Sequence, residues 1–363
     1  MNKIKKIGIL TSGGDCPGLN AVIRAVFKKA SRELGCEIIG IEDGFEGLIR
    51  NKHRKLTDKD VSGILTLGGT ILGTSNRANV YKYPVQVGKD TVYKDLSQQA
   101  ILCLKKLKVD CLVCIGGDGS LGIAYRLQQQ GVPIVGIPKT IDNDVQGTDI
   151  TFGFDTAVHI ATEGVDRLHT TAQSHHRVMI LEVIGRRAGW IALHTGLAGG
   201  GDVILIPEIP YDINGVVESI KVRRRQGKRF TIIVVSEGAK PKGGDVVIKE
   251  MVKDGSEPVR LGGVSFSLGK QIENLTGIET RNVVMGHLQR GGSPSVFDRI
   301  LGTQLGAKAV EFIGNKDFGY MVGVKGNTFV KVPLSKAGSG QRLVPINHPL
   351  IETARSLGAC FGS

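Results

Sequence analysis

Ile7-Gly8-Ile9-Leu10-Thr11-Ser12-Gly13-Gly14-Asp15-Cys16-Pro17-Gly18-Leu19-Asn20 is the stretch that decides the fold of this 363-residue chain. A short apolar run predicts a strand over Lys6–Thr11, the glycines end it, and 3.6-residue apolar spacing from Leu19 predicts a helix over Leu19–Glu33. Successive glycines let backbone N–H groups approach an anion, and the helix N-terminus behind them adds partial positive charge. The spacing is neither GxGxxG nor a Walker loop. A plain strand-to-helix turn is the bland alternative.

The same alternation of short β-branched runs and longer helical patterns continues along the chain. It predicts strands over Glu37–Glu42, Asp110–Ile115, Val132–Ile137, Val178–Ile184, Val203–Ile206, Phe230–Ser236 and Asn282–Met285. Helical spacing falls on Leu96–Lys106, Leu121–Gln130, Ala157–Thr170, Val216–Arg225 and Ser265–Leu275. Such alternation is the mark of βαβ units, hence an α/β fold with mainly parallel sheets. That many elements exceed one small doubly wound domain. We expect two: residues 1–153 with about 291–340, and residues 154–290 with about 341–363, the break falling near Gly153 and the return near Gly291. The charged, glycine-containing stretches Asn51–Lys59 and Lys240–Arg260 read as surface loops.

Composition agrees with ligand-binding α/β chemistry. The hydrophobic share of 41% suits a large core, aromatics are only 5%, and 51 glycines are roughly twice the ordinary share. The balance of 47 Lys+Arg against 34 Asp+Glu, +13 in all, suits anionic partners without choosing among them. Cys16, Cys36, Cys103, Cys111, Cys114 and Cys360 lie mostly in apolar runs, as reduced cytosolic thiols do, so no disulfides are expected. The four-residue apolar run Ile7–Leu10 is too short for a signal-peptide core, and no stretch has the roughly 18 apolar residues of a membrane span. A soluble, cytoplasmic protein is expected, with no membrane partner.

Two further strand ends carry chemistry. Gly116-Gly117-Asp118-Gly119-Ser120 clears space for a phosphate chain, and Asp118 is a hard oxygen ligand suited to Mg²⁺, unless it merely caps the next helix. Pro138-Lys139-Thr140-Ile141-Asp142-Asn143-Asp144 sets two carboxylates two residues apart, on one side of an extended chain, so that one can act as base; a turn-forming Asp-Asn-Asp is the alternative. The three strand ends would converge at the carboxyl edge of one sheet, where ligands of open α/β folds bind. A later group comprises Arg177, Ile184-Gly185-Arg186-Arg187, Glu237-Gly238, Arg281 and Gly286-His287-Leu288-Gln289-Arg290-Gly291-Gly292. Arginines at successive strand ends could grip a phosphate monoester bidentately, and Glu237 could accept from sugar hydroxyls.

Together these motifs resemble the phosphofructokinase superfamily, in particular the bacterial 6-phosphofructokinases, from Ile7 to about Gly302. The resemblance implies two Rossmann-like, doubly wound domains with the active site in the cleft between them. It implies phosphoryl transfer from ATP, with Mg²⁺, to fructose 6-phosphate. Asp142 would be the base on the sugar 1-hydroxyl, with Thr140 and Asp144 beside it, and Arg186 would bridge donor phosphate and sugar. Asp118 would bind Mg²⁺; Gly13 and Gly116, Gly117, Asp118, Gly119 and Ser120 would cradle the donor phosphates. Ile184, Gly185, Arg186, Glu237, His287 and Arg290 would hold the sugar phosphate. Arg177 and Arg281 would reach it from a neighbouring subunit, which implies a homo-oligomer, in this family usually a homotetramer.

Two positions bear on the donor. Gly119 resembles ATP-using members, since an aspartate there would oppose a nucleotide phosphate, whereas Lys139 resembles pyrophosphate-using ones; a subgroup combines the two. We give Gly119 more weight and expect a nucleotide, with pyrophosphate or ADP as alternatives and a non-catalytic nucleotide or sugar-phosphate sensor as a remote one. In Gly68–Arg77, Asn76 stands where the family's donor-binding arginine falls, leaving Arg77 as the candidate. Arg24, Asp202 and Lys228 match the family's allosteric effector pocket, while Lys28 and His169 replace typical arginines. Cys111-Leu112-Val113-Cys114 reads as buried thiols and His175-His176 as loop rather than metal ligands. The run Arg223-Arg224-Arg225 lacks the interleaved aromatics of a nucleic-acid surface, and no nucleic-acid partner is expected.

Overall fold

Buried apolar runs and the glycine turns between them set out the strands: β1 (Lys6–Thr11), β2 (Glu37–Ile41), β3 (His53–Lys55), β4 (Tyr83–Val87), β5 (Asp90–Lys94), β6 (Cys111–Gly116), β7 (Ile134–Pro138), β8 (Val178–Val183), β9 (Val203–Leu205), β10 (Thr231–Ser236), β11 (Ile248–Met251), β12 (Val259–Leu261), β13 (Thr280–Val284), β14 (Tyr320–Lys325) and β15 (Thr328–Pro333). The helices are α1 (Leu19–Lys29), α2 (Phe45–Arg50), α3 (Ser97–Lys106), α4 (Asp118–Gln129), α5 (Phe154–His175), α6 (Trp190–Ala198), α7 (Ile213–Arg225), α8 (Val264–Thr276), α9 (Val296–Gly314), α10 (Leu334–Ala337) and α11 (Pro349–Ser356). The computed structural model of the chain describes residues 3–88, 90–251 and 259–362.

Seven strands form one sheet in the order β15-β14-β7-β6-β1-β2-β3, and four form a second in the order β13-β8-β10-β9. The second is parallel throughout. The first is parallel at its centre, with β3 and β15 antiparallel at its margins. β6 and β8 are buried along their whole length because helices cover both faces, and their sequences are accordingly unbroken apolar runs rather than alternations. One continuous core joins the sheets: Ile9, Val113 and Ile115 from the first and Leu181, Val183 and Val234 from the second belong to it. Cys111 packs in that core and Cys114 in the separate cluster on the opposite face of the first sheet, so the CxxC thiols point apart. All six cysteines are free.

The α/β reading with mainly parallel sheets holds, and its departures have physical causes. Helix α1 stops at Lys29 and passes into a π turn over Ala30–Leu34. Helix α4 starts three residues before the predicted Leu121, because its first turn is polar and shows no apolar period. His175 closes α5, and His176 is its left-handed cap at φ 58°, so the pair is a helix end rather than a loop. Strand β3 occupies part of Asn51–Lys59, and the β11–β12 hairpin part of Lys240–Arg260, of which 252–258 lie outside the described residues. Helices α6 and α9 escaped detection because they are packed on several sides and carry no apolar stripe. Among the described residues no helix is long and apolar enough to cross a membrane.

Helix α9 lies tightly on α1, and the closeness depends on glycine. A Cβ at Gly306 would stand 2.8 Å from the Val22 carbonyl oxygen and 2.9 Å from Ala25 Cβ. Alanine is the better helix former by about 1 kcal/mol, but overpacking against backbone costs about 1–3 kcal/mol, so the clash wins. Gly306→Ala is expected to lower unfolding stability by about 1 kcal/mol, read by urea denaturation; an unchanged or raised midpoint would contradict this packing.

Candidate active site

Three strands of the first sheet end side by side. Thr11 pairs with Ile115 and Gly116 with Pro138, so the chain after β1, β6 and β7 emerges at one level of one edge. The Ser12 N–H donates to the Ile115 carbonyl at 2.9 Å and the Lys139 N–H to the Gly116 carbonyl at 2.9 Å. Gly13 takes φ +83°, a left-handed value that suits glycine, and its Cβ position lies 3.4 Å from both Lys139 Nζ and Ser120 Oγ. The two glycine loops therefore face each other across Lys139. That side chain is 4% exposed and its ammonium donates to the Gly14 carbonyl. Burial pulls the Lys139 ammonium below its ordinary range, while Cys16, Asp15 and Asp142 pull it back up. The 70s loop closes over the same place, through Gly13 N–H to the Ser75 carbonyl at 3.1 Å and Thr74 Oγ1 to the Gly13 carbonyl at 2.6 Å. Arg77 is exposed on that loop.

Asp118 opens α4 within its first turn. Among the described residues, and apart from its own neighbours along the helix, no atom lies within 4 Å of the Cβ position of Gly119, so the space above it is open. After β7 the chain turns instead of continuing extended: Asn143 adopts φ 52°, and Asp142 and Asp144 are not alternate residues of a strand. That corrects the expected extended geometry. Proximity survives it, because the turn folds the two carboxylates toward each other and toward Asp118; burial first, then Asp142 and Asp118, push the Asp144 carboxyl well above its usual range. The Asp142 N–H donates to Thr140 Oγ1 at 3.1 Å, and that hydroxyl lies 3.4 Å from Asp142 Oδ2.

The second sheet presents its own carboxyl edge to this loop cluster. Ile184 and Gly185 follow β8, and Glu237 follows β10 with its N–H on the Val183 carbonyl. A Cβ at Gly238 would fall 2.0 Å from the Arg186 carbonyl oxygen, so the Glu237-Gly238 turn lies flat on the Arg186 backbone. Burial pushes the Glu237 carboxyl up to about 7, with Asp142 adding to the rise and Arg290 opposing it. Arg290, from the turn after β13, reaches across to donate to the Asp15 carbonyl at 3.1 Å. His287 is exposed on the same turn.

Two predicted residues stand elsewhere. Arg177 precedes β8, as the predicted strand over Val178–Ile184 implies, and Arg281 is the second residue of β13, so both lie at strand beginnings, away from the carboxyl edge that bears Glu237. There they share Glu279: Arg177 Nε donates to its Oε2 at 2.6 Å and Arg281 Nη2 to its Oε1. Within one chain they do not join the cleft. Conversely, Gln289 stands in the Gly286–Gly292 motif with no role that the sequence assigns. It is fully buried and accepts the Ile184 N–H at 2.8 Å, tying the end of β8 to the turn that bears Arg290. Its signal was a polar residue in a glycine-rich turn that burial alone makes meaningful.

Among the described residues no group of three His, Cys, Asp or Glu side chains forms a metal cage. The hard oxygens of Asp118 and the neighbouring acidic loop do fit Mg²⁺, which keeps most of its waters and binds through one or two carboxylates plus substrate phosphates.

Because Glu237 binds its proton more tightly in the folded than in the unfolded chain, its charged form costs stability as pH rises from about 4.5 toward 7 and beyond. Glu237→Gln is therefore expected to raise Tm more at pH 8 than at pH 5.5. Equal shifts at both pH values would place the carboxyl in water instead.

A family model described as phosphofructokinase matches residues 6–313. The chain is 54% identical over 364 residues to "ATP-dependent 6-phosphofructokinase 2" of Clostridium perfringens, covering 99% of each chain. It is 50% identical over 344 residues to "Pyrophosphate--fructose 6-phosphate 1-phosphotransferase" of Amycolatopsis mediterranei, covering 94% of this chain and 97% of that one. The crystal structure of Pichia pastoris phosphofructokinase in the T-state superimposes with a TM-score of 0.80 at 31% identity, over 93% of this chain and 36% of that chain, so this chain spans about a third of its length. On its motifs, its sheets and these likenesses, the chain belongs to the phosphofructokinase family.

Proposed function

We propose that this chain is a 6-phosphofructokinase that moves the terminal phosphoryl group of ATP to the 1-hydroxyl of fructose 6-phosphate, giving fructose 1,6-bisphosphate. The observation that carries the reading is the convergence of two facing glycine loops, Lys139 and the Asp118, Asp142 and Asp144 carboxylates on a second edge bearing Glu237 and Arg290. Phosphoryl transfer asks the protein chiefly for position and charge, and this arrangement supplies both.

In that mechanism the backbone of Gly13 and of Gly116, Gly117, Gly119 and Ser120, with Lys139 and Arg77, holds the donor phosphates. Asp118 would hold Mg²⁺, which when bound neutralises charge on those phosphates. The sugar phosphate lies against Ile184, Gly185, Glu237, His287 and Arg290. Asp142, oriented by Thr140, accepts the proton of the 1-hydroxyl as its oxygen bonds to phosphorus and the bond to the leaving phosphate oxygen breaks. Asp144 supports that end of the sugar, and Arg186 offsets charge on the group in flight. Residues 1–153 with about 291–340 serve the donor, and 154–290 with about 341–363 serve the sugar. Arg177 and Arg281, remote from the cleft of their own chain, complete the sugar site of a neighbouring subunit in a cytoplasmic homotetramer. An anionic effector fits the cavity of about 690 Å³ lined by Gly200, Asp202, Arg223 and Lys228.

Gly119 supports a nucleotide donor, because the open space above it admits the α-phosphate that an aspartate would repel. Pyrophosphate is the second reading, favoured by the Lys139 ammonium seated in the first glycine loop. Assaying fructose 1,6-bisphosphate formation with ATP, ADP and pyrophosphate in turn decides between them; turnover with none overturns the activity. With the productive donor, Asp142→Asn is expected to lower kcat by about 10²–10⁴-fold with the KM for fructose 6-phosphate within a few-fold. Lost binding with retained kcat would remove Asp142 from the role of base.

A further inference from the structure

We propose that Gln341–Val344 is a strap that clamps the Thr140–Asp149 loop to the Arg186 turn, and that Arg342 is a positioning residue for phosphoryl transfer. The inference rests on the activity proposed above. The strap pairs with the acidic loop through a bridge between Gln341 and Val145. The Arg342 N–H donates to the Asp144 carbonyl at 2.7 Å, and its Nη2 donates to the carbonyls of Asn143 at 2.7 Å and Asp149 at 2.9 Å. Asn143 is the left-handed residue between the two aspartates, a conformation asparagine tolerates, and its own side chain helps to hold it by accepting the Thr151 N–H at 3.0 Å. Arg342 adds a hold from outside the loop, on three of its carbonyls.

The other side of the strap is fixed to the second sheet's helices. Trp190 Nε1 donates to the Arg342 carbonyl at 2.8 Å, and the guanidinium lies 4.2 Å from the Trp190 ring centroid. The Val344 N–H donates at 2.8 Å to Glu208, whose carboxylate also accepts the Gly189 N–H, two residues after Arg187. Gln341 spans the gap directly, its Nε2 donating to Asp118 Oδ2 at 3.3 Å and its Oε1 accepting from Arg187 Nη1 at 3.2 Å. Gln341, Arg342 and Val344 thus touch the metal-ligand candidate, the loop of the base candidate and the segment that follows the phosphate-bridging arginine. Misplacement of a reacting group by about 1 Å can cost 10²-fold in rate without weakening binding. An arginine that sets the loop should therefore act on kcat and spare KM.

Trp190 is the single tryptophan, so its emission reports the seating of Arg342 before any ligand is added. The test compares Arg342→Met and Arg342→Lys with Arg355→Met, a control cation on the Phe361 ring. The readouts are emission of the ligand-free protein, amide exchange of 140–149, Tm, and kcat and KM for fructose 6-phosphate. For Arg342→Met we expect altered emission, exchange of the loop faster by about tenfold or more, kcat lower by about 10–100-fold and KM within about threefold. Arg342→Lys should recover part of the loss, since an ammonium still reaches one carbonyl, and Arg355→Met should match the unaltered protein. A lower Tm with unchanged kcat and loop exchange would make Arg342 merely structural and overturn the proposal, as would a raised KM with unchanged kcat. If the unaltered protein fails to phosphorylate fructose 6-phosphate, the activity falls, and emission and loop exchange then decide the strap alone: no change in either overturns it.

Discussion

Parallel pairing of β1, β6 and β7 is the constraint from which the site follows. Parallel neighbours cannot be joined by a hairpin, so each strand must leave the sheet at its carboxyl end and return by a helix. Three successive exits at matched register bring Ser12-Gly13, Gly116-Gly117 and Lys139 together before any side chain has made a choice. The helices that follow two of those exits point their N-termini at the same space, and anion binding is a property of the backbone there. The second sheet repeats the arrangement with β8 and β10 and delivers the sugar-facing candidates.

Facing the two edges creates an electrostatic problem. Asp144 and Glu237 lie close to Asp142 in a partly dry cleft, where burial and like charge both favour the neutral forms of Asp144 and Glu237. Lys139 and Arg290 reach in from opposite sheets, and Arg342 from the C-terminal segment, to offset that charge. Their interactions with backbone carbonyls of Gly14, Asp15 and Asn143 fix them without consuming the carboxylates.

The fold was legible because βαβ units write themselves locally: a buried strand, a glycine turn and an amphipathic helix lie consecutively in the chain. Gly13, Gly116–Ser120 and Asp142 could be placed at one edge on that basis. Helices α6 and α9 were not legible, since an element buried on several sides has no periodic stripe. The left-handed turn at Asn143 was read as extended chain, because asparagine between two aspartates fits both conformations. Arg177 and Arg281 stand just before the predicted strands Val178–Ile184 and Asn282–Met285, so their place at strand beginnings was legible, whereas the Glu279 they share carried no motif. Gln341 and Arg342 carry no local motif at all; only the folded chain brings them, some 200 residues on, beside Asn143 and Asp118.

The open space above Gly119 has an evolutionary consequence. Its backbone is helical with ordinary negative φ and nothing crowds its Cβ position, so aspartate there meets no steric or conformational barrier. Two of the four glycine codons become aspartate codons by one transition at the second position, and the other two become glutamate codons. Where this residue governs which phosphate compound is admitted, a single transition in the gene separates two energy currencies, with no demand on the packing of the fold.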